Sequence, residues 1–130
     1  MFAKLVLLAE EISFDDAGRV SAKNLALDLV GTTFPMTIAR LDLLTLWTRM
    51  GDEPESQVFE LLLQTPTGQA PPERIPVDFK DQAEAWQGIS LDGFVLEQPG
   101  PYIFRFTQGT QDRAVWILRA HQVNEGVGDA

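Results

Sequence analysis

The strongest constraint on this chain is a two-residue rhythm. In Tyr102-Ile103-Phe104-Arg105-Phe106-Thr107, three aromatic residues alternate with residues of other kinds. In an extended strand, alternate side chains point to opposite faces, so the aromatics share one side. Beyond the loop at Gly109, Trp116 and Leu118 oppose Val115 and Ile117 over Ala114–Ala120. The two segments read as the arms of a hairpin. Pro99-Gly100-Pro101 forces a turn ahead of it.

The same rhythm recurs upstream between turn signals. Ala3 to about Ile12 is apolar and is followed by Asp15-Asp16-Ala17-Gly18. Leu25, Leu27 and Leu29 alternate with Ala26 and Asp28 in a segment that begins near Val20 and stops at Gly31. Phe59, Leu61 and Leu63 share a face of Gln57–Gln64; Ile75, Val77 and Phe79 share another, with Pro76 between them. Proline cannot donate to a ladder, so the strand around Pro76 belongs at a sheet edge. Ile89–Leu96 is apolar and interrupted at Asp92-Gly93.

Two segments admit a helix. Pro35–Met50 places Ala39, Leu43, Leu46, Trp47 and Met50 on one helical face, with Gly51 just beyond. The strand-like Gln57–Gln64 lies one short loop away, and a strand at 37–49 would pair with it as a hairpin. We adopt the hairpin. Lys80–Gln87, with Asp81, Ala83, Glu84 and Ala85, suits a short helix or an irregular loop. The resulting expectation is an all-β fold: a two-sheet antiparallel β-sandwich of about seven or eight strands, with at most one short helix near 80–87. A second sheet is what buries the single apolar face of each alternating strand. Residues 1–124 are expected to form one domain, with 125–130 a frayed tail.

A series of turn and strand motifs carries a resemblance. Asp16-x-Gly18-Arg19, an apolar strand ending in Gly31, Phe34-Pro35, Pro66-Thr67-Gly68 and Pro99-Gly100-Pro101-Tyr102-Ile103-Phe104 follow in that order. The layout resembles a family of small, uncharacterised bacterial all-β proteins, over residues 3 to 120. The family has no assigned catalytic or binding residues, so the resemblance implies architecture and no activity. The Pro-Gly-x-Tyr-x-Phe element also resembles the penultimate strand of immunoglobulin-like sandwiches, which implies that Tyr102 bonds back across a corner. The paired cysteines of true immunoglobulin domains are absent.

Composition narrows the chemistry. There is no cysteine and one histidine, His121, which excludes disulfide scaffolds, zinc ribbons, iron–sulfur sites and thiol nucleophiles. Lys+Arg number 10 against Asp+Glu 19, a formal charge of -9, which disfavours nucleic acid and anionic membrane as partners. The acidity is even: residues 1–65 carry 5 basic and 10 acidic side chains, and residues 66–130 carry 5 and 9. The run Leu5–Ala9, bounded by Lys4 and Glu10-Glu11, is shorter than a signal-peptide core or a spanning helix. A cytoplasmic protein is the expectation.

No catalytic constellation emerges. Ser13, Ser21, Ser56 and Ser90 lack a Gly-x-Ser-x-Gly elbow, and no Walker or dinucleotide-binding glycine pattern occurs. His121 ends the last strand and reads as a surface or edge residue. Asp15-Asp16 and Asp52-Glu53-x-Glu55 do not have calcium-loop spacing and read as solvated turns. The tryptophans remain. Trp116 reads as core or half-buried and Trp47 as packed too, while Trp86 reads as exposed; Trp86 and Trp47 are the candidate contact residues for a ligand or partner. The expectation is a non-catalytic binding or assembly module, with no cofactor or metal, that meets a protein partner or a second copy of itself. The alternative is a carbohydrate- or small-ligand-binding sandwich with Trp86 and Trp47 as platforms.

Overall fold

The computed structural model describes residues 1–124; the expected tail at 125–130 lies outside the described residues. The described residues form twelve strands and no helix: β1 (Phe2–Phe14), β2 (Val20–Leu25), β3 (Asp28–Gly31), β4 (Met36–Ile38), β5 (Asp42–Thr48), β6 (Ser56–Thr65), β7 (Gly68–Gln69), β8 (Glu73–Asp78), β9 (Glu84–Ser90), β10 (Phe94–Leu96), β11 (Gly100–Gln108) and β12 (Gln111–Gln122). One sheet runs β2-β1-β5-β9. The other runs β3-β12-β11-β6-β7, with β8 also on β6, and β4 pairs with β10. All pairings are antiparallel except β3 with β12, where Asp28 to Gly31 run alongside Arg119 to Gln122.

The strand count exceeds expectation because apolar runs bend at corners, and one of them changes partners. Residues 20–31 pair with β1 through Leu25 and with β12 from Asp28 onward. Residues 36–48 stay paired with 84–96 through a bend, where Leu91 N donates to Leu41 O and Gly93 N to Ala39 O. The corner in residues 20–31 lets one run serve both layers.

The core lies between the layers. Leu8, Leu43 and Trp47 from one sheet meet Phe59, Tyr102, Phe104, Phe106 and Leu118 from the other. Trp47 is 0% exposed and its ring lies 4.7 Å from that of Phe59. Its buried N–H is satisfied: Nε1 donates to Thr45 Oγ1 at 2.8 Å, and that hydroxyl donates to Gln87 O at 3.2 Å. Satisfying both groups removes the desolvation cost that an unpaired indole would carry.

Two expectations fail here. The hairpin between 37–49 and 57–64 does not form: β5 lies between β1 and β9, and β6 lies in the other sheet against β11 and β8. The cause is burial on both faces of β5, where Leu43, Leu44, Thr45, Leu46 and Trp47 are all buried. A strand covered on both sides reads as an unbroken apolar run and occupies the middle of a sheet. The other is the reading of Lys80–Gln87 as a short helix or an irregular loop, which fails from Glu84 onward at β9. Phe79–Gln82 is a tight turn, closed by Gln82 N donating to Phe79 O, with Lys80 and Asp81 at positive φ. From Glu84 the chain is a strand, because Ala85 packs on the core while Trp86 points the other way. The alternation wins over the helical propensity of the alanines.

Candidate functional site

β1 carries two ladders in succession. From Phe2 to Ala9 it pairs with β5, ending at Ala9 opposite Asp42; from Ala9 to Phe14 it pairs with β2. Ser90 of β9 also lies opposite Asp42, and Trp86 lies opposite Leu46, back toward the start of β1. A straight β1 would carry Phe14 about 17 Å past Asp42 and away from Trp86. Instead the Phe14 ring meets Trp86 edge-to-face at 5.3 Å and 81°. The β1–β2 hairpin therefore curls back over the outer face of the four-stranded sheet. That arch explains why outward-facing Leu44 and Leu46 are only 4% and 8% exposed.

The arch is built from its turn. Asp15 Oδ1 accepts from the backbone N–H groups of Ala17 and Arg19, each at 2.9 Å, and Oδ2 accepts from Arg19 Nε at 2.6 Å. The backbone bond from Arg19 holds the Asp15 carboxyl below its ordinary pKa; desolvation opposes it, and the Arg19 side chain and Ala17 N–H add to the lowering. Gly18 supplies the positive φ the turn needs. Further along, Ile12 N donates to Asp42 Oδ2 at 2.9 Å and Arg40 Nη2 donates to the same oxygen at 3.0 Å. The Asp42 hydrogen bond and charge push the Arg40 pKa up, so Arg40 remains a cation.

Around the arch the sheet is apolar. Phe14 is 48% and Trp86 41% exposed, and Phe2 and Leu5 are exposed on the same face. The rim is charged: Asp15 and Asp16 follow Phe14, and Lys4 bonds Glu84 at 2.7 Å. Beneath the arch lies a cleft of about 230 Å³ lined by Ile12, Phe14, Leu44, Gly88, Ser90, Asp42 and Arg40, among others. A larger groove of about 360 Å³ lies near Glu10, Glu11, Lys23, Asn24 and Arg40. Its polar groups largely satisfy one another, Asn24 bonding Glu10 at 2.7 Å and Arg40 pairing with Glu11 at 3.6 Å.

The residues singled out by sequence are dispersed. Trp86 lies on this face. Trp47 does not: although β5 carries it beside the site, it points inward and is fully buried, so it offers no platform to a ligand. Its even spacing with Leu43 and Thr45 placed it on the core side. Tyr102 is buried, and its hydroxyl donates to Gln98 O at 2.7 Å and accepts from Gln98 N at 3.3 Å. Trp116 is half-buried and donates to Ala26 O at 2.8 Å. His121 is half-exposed and pairs with Asp28 across the parallel ladder at 2.8 Å. Among the described residues, no three His, Asp or Glu side chains converge as a metal would require.

Phe14, Leu5, Leu44, Leu46 and Gly88 were not candidates. A signal for part of the face was present in Leu43-Leu44-Thr45-Leu46-Trp47, whose apolar residues occupy both parities and so need cover on two sides. Nothing local announces that Phe14 supplies that cover.

What fold and site define is an all-β protein of two packed layers with an apolar outer face on the smaller sheet. No protein-family model matches the sequence, and no curated protein matches it. Among solved structures, a β-glucosidase from Listeria innocua in complex with glucose aligns at TM-score 0.48 and 14% identity. The same enzyme with isofagomine gives the same values, and without ligand 0.48 and 12%. Each alignment covers 95% of this chain and 17% of the enzyme's. The bound glucose and isofagomine are properties of that enzyme.

Proposed function

We propose that this protein is a non-catalytic binding module whose partner, another protein, docks on the outer face of the four-stranded sheet. The observation that carries the reading is the clustering of Phe2, Leu5, Phe14 and Trp86 as exposed large apolar residues on one face. Isolated exposed apolar residues are ordinary; a contiguous set rimmed by charge marks an interaction surface. Aromatic anchors at such a centre supply most of the binding energy.

Charge supports a foreign partner over a second copy. Each chain carries a formal charge of -9; at the rim of the apolar centre Asp15 and Glu84 are paired with Arg19 and Lys4, and Asp16 adds a further acid. Self-association would bring together two chains of the same negative charge, which costs affinity. A partner with an apolar centre and a basic surround is complementary. Trp86 alone, with its ring already occupied on one side by Phe14, gives less support to a carbohydrate platform.

The test compares capture from cells that express the protein natively, using wild type, Leu5→Ser, Trp86→Ser and Val115→Ser. Val115 is exposed on the other sheet's outer face and serves as the control. The expected result is a protein retained by wild type and Val115→Ser and lost from the other two. An identical set on all four overturns the reading. A wild-type homodimer in sedimentation that Trp86→Ser dissociates would replace the foreign partner with a second copy.

A further inference from the structure

Resting on that reading of the face, we propose that the cleft beneath the β1–β2 arch is an anchor pocket for a tyrosine side chain of the partner. Three observations converge on it. The first is shape: about 230 Å³ bounded by the Phe14 ring and Ile12 above and by Leu44 and Gly88 below. A closed apolar cavity of roughly 150 Å³ accommodates benzene, so the volume of this open cleft admits a phenol ring.

The second is Gly88. Its φ is not in the left-handed region, so the backbone does not require glycine. A Cβ placed there would meet only Leu44 Cδ1, at an ordinary 4.0 Å. Glycine in the middle of a strand is weakening, and neither conformation nor close packing demands it here. What its missing side chain does is leave the floor of the cleft open.

The third is Asp42 at the polar end. Its side chain is 13% exposed, and Oδ2 already accepts from Ile12 N and Arg40 Nη2. Among the described residues, no side-chain or backbone donor reaches Oδ1. A carboxylate oxygen at the end of an aromatic-sized cleft selects a ring that bears a donor. A tyrosine fits: its ring lies between Phe14 and the Leu44–Gly88 floor, and its hydroxyl donates to Asp42 Oδ1. The basic surround proposed for the partner places this tyrosine among Lys or Arg residues, complementary to the formal charge of -9 on this chain.

The experiment needs no identified partner. The full chain is titrated with N-acetyl-L-tyrosinamide, N-acetyl-L-phenylalaninamide and N-acetyl-L-alaninamide and followed by amide chemical shifts. The tyrosine probe is expected to shift Ile12, Gly88 and Ser90 and to bind about fivefold more tightly than the phenylalanine probe, the increment of one hydrogen bond. The alanine probe is expected to leave them unmoved. Gly88→Val, which fills the floor with a good strand former, is expected to weaken the tyrosine probe at least about tenfold. Contacts from the probe ring to the Leu44 and Ile12 methyls in wild type read the same site if the variant folds poorly. Unmoved Ile12, Gly88 and Ser90, or equal responses to tyrosine and alanine probes, overturns the pocket. If the pocket fails while Trp86→Ser still loses a captured protein, the face stands without its anchor. If the probe binds while capture is unaffected by Trp86→Ser, the pocket stands and the docking face falls.

Discussion

The arch makes a quantitative demand on two residues far apart in sequence. Phe14 and Trp86 meet edge-to-face at 5.3 Å, and such pairs are coupled by about 0.5–1.5 kcal/mol beyond the area they bury. Both rings are nearly half-exposed, so the lower half of that range, about 0.5–1 kcal/mol, applies. Removing a fully buried phenylalanine ring costs about 3–5 kcal/mol. With Phe14 48% exposed, Phe14→Ala should cost about half as much, roughly 1.5–2.5 kcal/mol. The assay is a double-mutant cycle, Phe14→Ala with Trp86→Ala, by urea denaturation. The expected result is a smaller loss for the pair than the sum of the singles, by the coupling above. Strict additivity would mean that the rings do not meet and that the hairpin does not close over the sheet. Fluorescence supplies a second readout, because Phe14→Ala should wet Trp86 and shift its emission to the red.

Four further outcomes follow from the packing and the charges. Trp47→Ala should destabilise by about 3–5 kcal/mol, since it empties a fully buried site against Phe59 and removes the donor to Thr45 Oγ1; denaturant titration reads it. Tyr102→Phe should cost about 1 kcal/mol through the lost bonds to Gln98, with the core otherwise unchanged in amide spectra. Asp15 has its pKa held down in the fold, so its contribution is present above its ordinary value and lost as pH falls through the depressed one. Acid melts should show the arch loosening, and Asp15→Asn should remove that pH dependence. Glu55 behaves oppositely: the Asp81 hydrogen bond and charge raise its pKa, so its contribution is present below the ordinary value and is lost as pH rises through the raised one. Glu55→Gln should therefore raise the melting temperature at neutral pH and leave it unchanged in acid.

How much of this was readable from the chain depends on distance. The β11–β12 hairpin follows from Tyr102, Phe104 and Phe106 facing Leu118, Trp116 and Ala114, because strand alternation and a short loop are local signals. The all-β class follows from the same rhythm repeated. The partners of β5 were not readable from its neighbours in sequence. Its place in the sheet requires the first strand on one side and β9 on the other, and its double-sided burial requires the second sheet beneath and the arch above; all are set by contacts remote in sequence. The helical reading of 80–87 failed for a related reason: Ala85 and Trp86 take opposite faces only because β5 presents Trp47 and Leu46 to them. The site shows the same division. Trp86 stood out as a tryptophan in a polar stretch, whereas Phe14, Gly88 and Asp42 acquire meaning only once the hairpin folds back.

The central claim, that the outer face of the four-stranded sheet receives a protein partner, is tested most directly by photo-crosslinking in living cells. A photoreactive phenylalanine analogue is placed at position 86 in one protein and at position 115 in another. A partner on this face gives a discrete covalent adduct with a different protein from position 86 and none from position 115. Adducts of equal yield from both positions, or none from position 86, would contradict it.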